Sequence, residues 1–408
     1  MKVYKKIILI PGLLIILNSL TPVLAQDWPQ WRGTDRDSRV TGFDAPQNWP
    51  AELIEQWKVK VGYGDATPAL VNGKLFVFTR IEGDEVLQCL DASTGKVLWK
   101  ESYPAEAVTG PAARHPGPRS TPTVTEGKVV IIGATGIISC VDAETGKLLW
   151  RNSDYANIVP VYFTGMSPLV AGGRCYAHLG GPAKSAIIAF DLAKGSILWK
   201  YEGEGPAYAS PGLMSIDKSN LVVMQTDSAL VAFNSTDGRL MWKVVTPPMR
   251  RYYNSSSPII KGNIIFYSGE GKGTAALAIK KDGASYSVEG LWRNPDIGNT
   301  YNTAVLKEGY LYGFSDRGYL YCLDSKSGQT AWADTVRHRD FGSVIDAGKV
   351  LIGLSSTSNL VVFEPVTDKY SEIALIKVSD TPTYAHPIIS GNRIFIKDEE
   401  YLILYNVD

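Results

Sequence analysis

The eleven residues CLDASTGKVLW at 89–99 return almost unchanged as CVDAETGKLLW at 140–150. The heart of the unit is an Asp, a Gly four positions later and a Trp four positions after that. It recurs as Asp191, Gly195 and Trp199, as Asn234, Gly238 and Trp242, and as Asp324, Gly328 and Trp332. A degenerate copy ends at Trp292, and another at residues 364–368 has lost its Trp. A unit repeated at this period cannot bury its apolar face alone, so it must stack on its neighbours, as the blades of a propeller or the coils of a solenoid do.

Each unit also opens alike. Thr67-Pro68, Thr121-Pro122, Ser167-Pro168 and Ser257-Pro258 stand before a short apolar run, an x-Gly turn (Asn72-Gly73, Glu126-Gly127, Gly172-Gly173, Lys261-Gly262) and a β-branched run. That order is the hairpin signature. No long amphipathic helical pattern follows residue 26. Each unit therefore reads as four antiparallel strands. In the Asp-x-x-Thr-Gly turn the Asp can accept backbone N–H bonds, and the Gly supplies the positive φ of a tight turn. The Trp then lies on the outer strand, where it can fill the wedge between diverging blades and offer one N–H to a partner. These tryptophans read as structural rather than as a platform for a cofactor.

Units start near Thr67, Thr121, Ser167, Ser210, Ser257, Thr303, Ser343 and His386, which makes eight. The last holds only three strands, while the segment around Leu53–Val61, with Trp57, has no strands before it. Pairing the two closes the ring. The expected fold is all-β: an eight-bladed propeller of four-stranded antiparallel blades, closed by an N-terminal strand, with seven blades as the alternative.

Residues 1–25 read as a signal peptide: Lys2, Lys5 and Lys6, an apolar run from Ile7 to Leu20, and small residues at Val23 and Ala25. The competing reading, a membrane-spanning helix, meets Pro11 and Gly12 and too short a run. Residues 26–52 form an N-terminal extension and 53–408 the propeller. Cleavage removes three lysines and no acid, which turns a balanced chain slightly negative and leaves no basic footprint for nucleic acid. The product is expected to be a periplasmic or secreted monomer with no membrane span. Cys89, Cys140 and Cys322 occupy equivalent repeat positions, so they read, with Cys175, as small buried residues rather than as a disulfide framework.

The Asp-Ala-x-Thr-Gly-Lys-x-x-Trp unit resembles the pyrroloquinoline-quinone (PQQ) repeat, and the resemblance covers nearly the whole mature chain. Two families share it: the quinoprotein alcohol dehydrogenases, which carry PQQ and calcium, and the BamB-type outer-membrane assembly proteins, which use the propeller as a non-enzymatic scaffold. The stretches Asp27-Trp-Pro-Gln-Trp-Arg-Gly33, Gly117-Pro-Arg-Ser-Thr-Pro-Thr-Val124 and Gly269-Glu-Gly-Lys-Gly273 are similar to segments of exported PQQ-like propellers. The dehydrogenases carry an adjacent-cysteine disulfide and a calcium-binding carboxylate set, for which this chain offers no aligned counterpart. BamB-type proteins carry an anchoring Cys that is missing here.

Ligands of propellers meet the loops over the central channel. The candidate ligand-binding residues at that mouth are Asp65, His115, Arg119, Tyr208, Arg250, Arg251, Tyr253, Tyr301, Asn302, His338, Tyr384 and His386. Arg pairs with carboxylates and Tyr stacks on rings. PQQ with calcium, a small anionic or saccharide ligand, or a protein partner in the envelope would suit this collection; ordinary solvated loop charges are the alternative. No metal-ligand spacing or nucleophile motif is present. The expected function is a BamB-like ligand- or protein-binding scaffold of the cell envelope, with a PQQ-dependent alcohol or sugar dehydrogenase as the alternative.

Overall fold

The computed structural model describes residues 26–247, 254–339 and 341–407. The expected signal peptide and three of the candidates, Arg250, Arg251 and Tyr253, lie outside them. The strands form eight four-stranded antiparallel sheets. Seven are built from consecutive strands. The eighth takes three strands from the C-terminal end and its outer strand from Ile54–Lys60, which pairs antiparallel with Tyr401–Asn406 and sets Trp57 opposite Leu404. This is the closed eight-bladed propeller expected from the repeat. Among the described residues the one helical element is a 3-10 turn at Gly110–Ala112.

The repeat unit explains how neighbouring blades lock. Asp91 Oδ1 accepts the N–H groups of Ser93 (3.1 Å) and Thr94 (2.8 Å) and both hydroxyls. These bonds hold its carboxyl below the usual range. Asp142 and Asp324 make the same turn. In every blade the pairing of the third and outer strands slips at one point, a bulge beside the Trp position. In the six blades that carry a Trp on their own fourth strand the residue opposite it is small: Cys89 faces Trp99, Cys140 Trp150, Ala189 Trp199, Ala232 Trp242, Ala276 Trp292 and Cys322 Trp332. In the seventh blade, which has Ala374 in place of Trp, the opposite residue grows to Val362. Cys89, Cys140 and Cys322 are thus spacers under indole rings, and all four cysteines are buried and free.

Most of these rings then seat on the turn of the next blade. A Cβ on Gly146 would lie 2.6 Å from Trp99, and one on Gly195 2.6 Å from Trp150. The indole N–H groups of Trp150, Trp199, Trp292 and Trp332 donate to carbonyls of the following blade, Leu192, Ser235, Ser325 and Val366, at 2.9–3.2 Å. The second and third strands of each blade are buried on both faces, as in Lys74–Ile81 and Asp84–Asp91. The core is therefore a ring of inter-blade clusters, with the inner strands left to line the channel.

Candidate functional site

The inner strands begin with the Thr or Ser of the repeat, and these hydroxyls join the blades around the channel. Thr121 N–H donates to Ser167 Oγ, Ser167 N–H to Ser210 Oγ, Ser210 N–H to Ser257 Oγ, Ser257 N–H to Thr303 Oγ1 and His386 N–H to Thr67 Oγ1, each at 2.9 Å. Each bond uses an oxygen lone pair and leaves the hydroxyl proton available to donate.

Below this ring the N-terminal extension crosses the channel. Trp28 exchanges backbone bonds with Leu70 (2.7 and 2.9 Å), and Pro29 O accepts from Val124 N–H. The Arg36 guanidinium reaches Pro168 O and that of Arg32 reaches Ala304 O. Ser38 and Val40 pair with Asp346, and Gln26 O accepts from Ser390 Oγ. One segment of about fifteen residues therefore bonds to six of the eight blades. Trp28 is 0% exposed, with Gly33 folded against its ring, and burial pushes the Arg32 guanidinium down to about 10. The segment closes that end of the channel, and Trp31 becomes part of the floor above it.

The result is a blind cup of about 310 Å³ that opens at the opposite end. Its floor joins Trp31 to His386, ring centres 4.4 Å apart. His386 is 4% exposed, and its Nδ1 has no partner within the protein. Burial lowers its pKa to about 3, so the imidazole is neutral. The walls carry Tyr162, Tyr208, Tyr301, Phe341 and Tyr384. Tyr301 stacks on Phe341 with centroids 4.2 Å apart, and Phe341 meets Tyr384 edge-on.

The polar wall is built by two docked segments. Pro118 O accepts the N–H groups of Asp65 (2.9 Å) and Ala66 (3.1 Å). Gly117 permits the approach, since a Cβ there would lie 2.1 Å from Tyr63 O. This clamp brings His115 Nδ1 to 2.6 Å from Asp65 Oδ2. The bond orients the imidazole, with Nδ1–H toward the carboxylate and Nε2 as an acceptor in the neutral ring. The Arg119 guanidinium donates to Tyr162 O and His115 O, and burial lowers its pKa.

Seven of the candidates read from sequence line this cup: Asp65, His115, Arg119, Tyr208, Tyr301, Tyr384 and His386. Asn302 and His338 do not. The Asn302 amide donates to Phe314 O and accepts from Asn299, while His338 pairs with Asp334 at 2.8 Å and packs on Phe314. Both are buried struts between loops. Trp31, Tyr162 and Phe341 line the cup without having been singled out. For Trp31 a signal existed: Asp27-Trp-Pro-Gln-Trp-Arg-Gly33 carries two tryptophans that belong to no repeat.

Comparisons with known proteins bear on this architecture. The family model described as outer membrane protein assembly factor BamB matches residues 36–154 and 112–334. The outer membrane protein assembly factor BamB of Yersinia pestis is 23% identical over 231 residues, 53% of this chain and 56% of that protein. The chain thus spans about half the length of this relative. The crystal structure of BamB from Moraxella catarrhalis superposes with a TM-score of 0.66 at 12% identity, covering 87% of this chain and 99% of that one. A europium-containing methanol dehydrogenase superposes with a TM-score of 0.71 at 13% identity, covering 91% and 89%. These superpositions establish the fold.

The described residues do not match what PQQ with calcium would need. No group of three or more His, Cys, Asp or Glu among them is placed to hold a metal ion. The carboxylate of the cup's lining is Asp65, already bonded to His115, and the guanidinium is Arg119, already bonded to two carbonyls. A hard cation asks for several oxygen donors and a tricarboxylate for several cations. Among the described lining, each charge is instead a single one held in a local bond. The matched segments together run from residue 36 to residue 334, well over half of the chain, and this chain belongs to the family of the outer membrane protein assembly factor BamB.

Proposed function

We propose that this protein is an exported scaffold of the cell envelope that engages a ligand or protein partner at the open mouth of its propeller. The observation that carries the reading is the one-sided channel. The extension occupies the inner ends of six blades, so the loops around Tyr301, Tyr208, Tyr384 and Arg119 surround the remaining opening. A concave site walled by several aromatic rings, with a few fixed polar groups, is the usual form of a binding pocket. BamB relatives are named as assembly factors, which supports a binding role rather than a chemical one. The N-terminal 25 residues supply export, and the mature chain works as a monomer. No helix among the described residues is long and apolar enough to cross a membrane.

Site-directed photo-crosslinking in the native envelope tests this. A photoreactive side chain at Tyr301, on the rim, is expected to capture a defined set of adducts. The same group at Leu198, on an outer strand, is expected to capture a different set or none. Identical adducts from the two positions would remove the mouth from consideration as the functional surface.

A further inference from the structure

We infer that the cup is a binding site for a neutral sugar ring, one terminal unit of a saccharide. This deepens the reading that the open mouth is the functional surface and rests on it. Three observations converge. The described lining has one carboxylate, Asp65, and one guanidinium, Arg119. Among the described lining the two charges balance, and an anionic ligand meets one attractive and one repulsive neighbour.

The second observation is the mixture of hydrogen-bonding roles at the floor and wall. Ser167, Ser210, Ser257 and Thr303 have each accepted a backbone N–H and retain a hydroxyl proton to donate. His386 keeps a buried Nδ1 without a protein partner. Asp65 spends Oδ2 on His115 and keeps Oδ1 as an acceptor. An apolar partner side chain seated here would leave these groups desolvated and unpaired, which is costly. Sugar hydroxyls donate and accept at once, so they answer both kinds of group.

The third observation is the aromatic wall. The C–H faces of a pyranose are apolar and pack on ring faces, and Trp31, Tyr208, Tyr301, Phe341 and Tyr384 surround the space. A volume of about 310 Å³ lies at the small end of ligand pockets, roughly 300–1,000 Å³. It admits one or two rings with the remainder of a chain leaving through the mouth.

The test titrates the purified full chain with glucose, galactose, N-acetylglucosamine, cellobiose and glucuronate, read by saturation-transfer NMR and calorimetry. At least one neutral sugar is expected to saturate in the millimolar range or tighter, with glucuronate about tenfold weaker or worse than its neutral counterpart. Asp65→Asn is expected to weaken the best sugar at least about tenfold while the chain still melts cooperatively, and Leu198→Ala to leave it unchanged. Absence of saturation by every neutral sugar, a preference for glucuronate, or full affinity in Asp65→Asn would each overturn the assignment. If sugars fail but rim-specific crosslinks at Tyr301 persist, the sugar assignment falls and the scaffold reading stands. If sugars bind but the crosslinks are indiscriminate, the scaffold reading falls instead.

Discussion

The two ends of the channel are finished in opposite ways. At the closed end, backbone and guanidinium groups of the extension meet carbonyls, amides and one hydroxyl of six blades. At the open end a Tyr ring stands 47% exposed at position 301, Asp65 keeps an oxygen in reserve, and the hydroxyl ring faces a cavity. A surface that satisfies its own donors and acceptors is a structural seam. One that leaves them available is equipped for something else to complete it. The contrast supports the proposal that the open mouth is the working face, without any reference to relatives.

The contrast can be broken most forcefully at the seam. Trp28→Ala removes a fully buried indole and should cost about 3–5 kcal/mol, read as a lower midpoint in denaturant unfolding. A loss below about 1 kcal/mol would mean that the extension is loosely held and the cup has no firm floor.

Gly117→Ala acts on the other end. Its Cβ would collide with the Tyr63 carbonyl, so the loop must move, at about 1–3 kcal/mol. The larger consequence should be separation of His115 from Asp65, visible as a changed imidazole environment in NMR. An unchanged His115 signal would mean that another contact holds the pair.

The floor also carries a pH signature. The folded-state pKa of His386 lies near 3 and that of His178, buried in the third blade, near 4, both below the ordinary 6.5 because burial disfavours the cation. Between those values and 6.5 the unfolded chain binds more protons, so stability falls as pH drops below 6.5 and is level above it. Each histidine should contribute about 1.4 kcal/mol per pH unit in that window. His386→Gln should remove one share of the slope between pH 6 and 4.5 (about 1.4 kcal/mol per unit). A slope that does not change would place the site in contact with solvent.

The smallest expected effect is the most informative about the mouth. Tyr301→Ala should alter stability by no more than about 0.5 kcal/mol while weakening capture of a partner or sugar. A large stability loss there would turn the rim into a second structural seam.

Much of this was legible from the repeat. The Asp-x-x-Thr-Gly turn declares its geometry because one carboxylate oxygen gathers the turn's own amides, a local arrangement that any copy must repeat. The closing strand was legible because Trp57 lacked a blade of its own. Side-chain direction at the channel was harder to read. Tyr301 and Asn302 are neighbours at the same blade start, yet one is 47% and the other 2% exposed. The reason is that Asn302 is drawn inward by Phe314 O and Asn299, contacts made by a loop fold that no periodicity encodes. His338 is lost to Asp334 in the same way. The extension was least legible of all. Its six-blade bonding uses mainly backbone groups, which every sequence possesses, so the tryptophans of the Asp27–Gly33 stretch marked the segment without showing where it would bond.

The pairing of Ile54–Lys60 with Tyr401–Asn406 constrains when this molecule can exist at all. The His386 amide waits for a hydroxyl 319 residues earlier, and Ser390 for a carbonyl 364 residues earlier. Contacts at such separation form late, because the intervening chain must first surrender its entropy. A nascent polypeptide leaving the ribosome or a translocon is therefore an arc with two unsealed edges until its final strand emerges. Any factor that shields those edges, or any truncation that deletes the last strand, decides between a closed annulus and an aggregate.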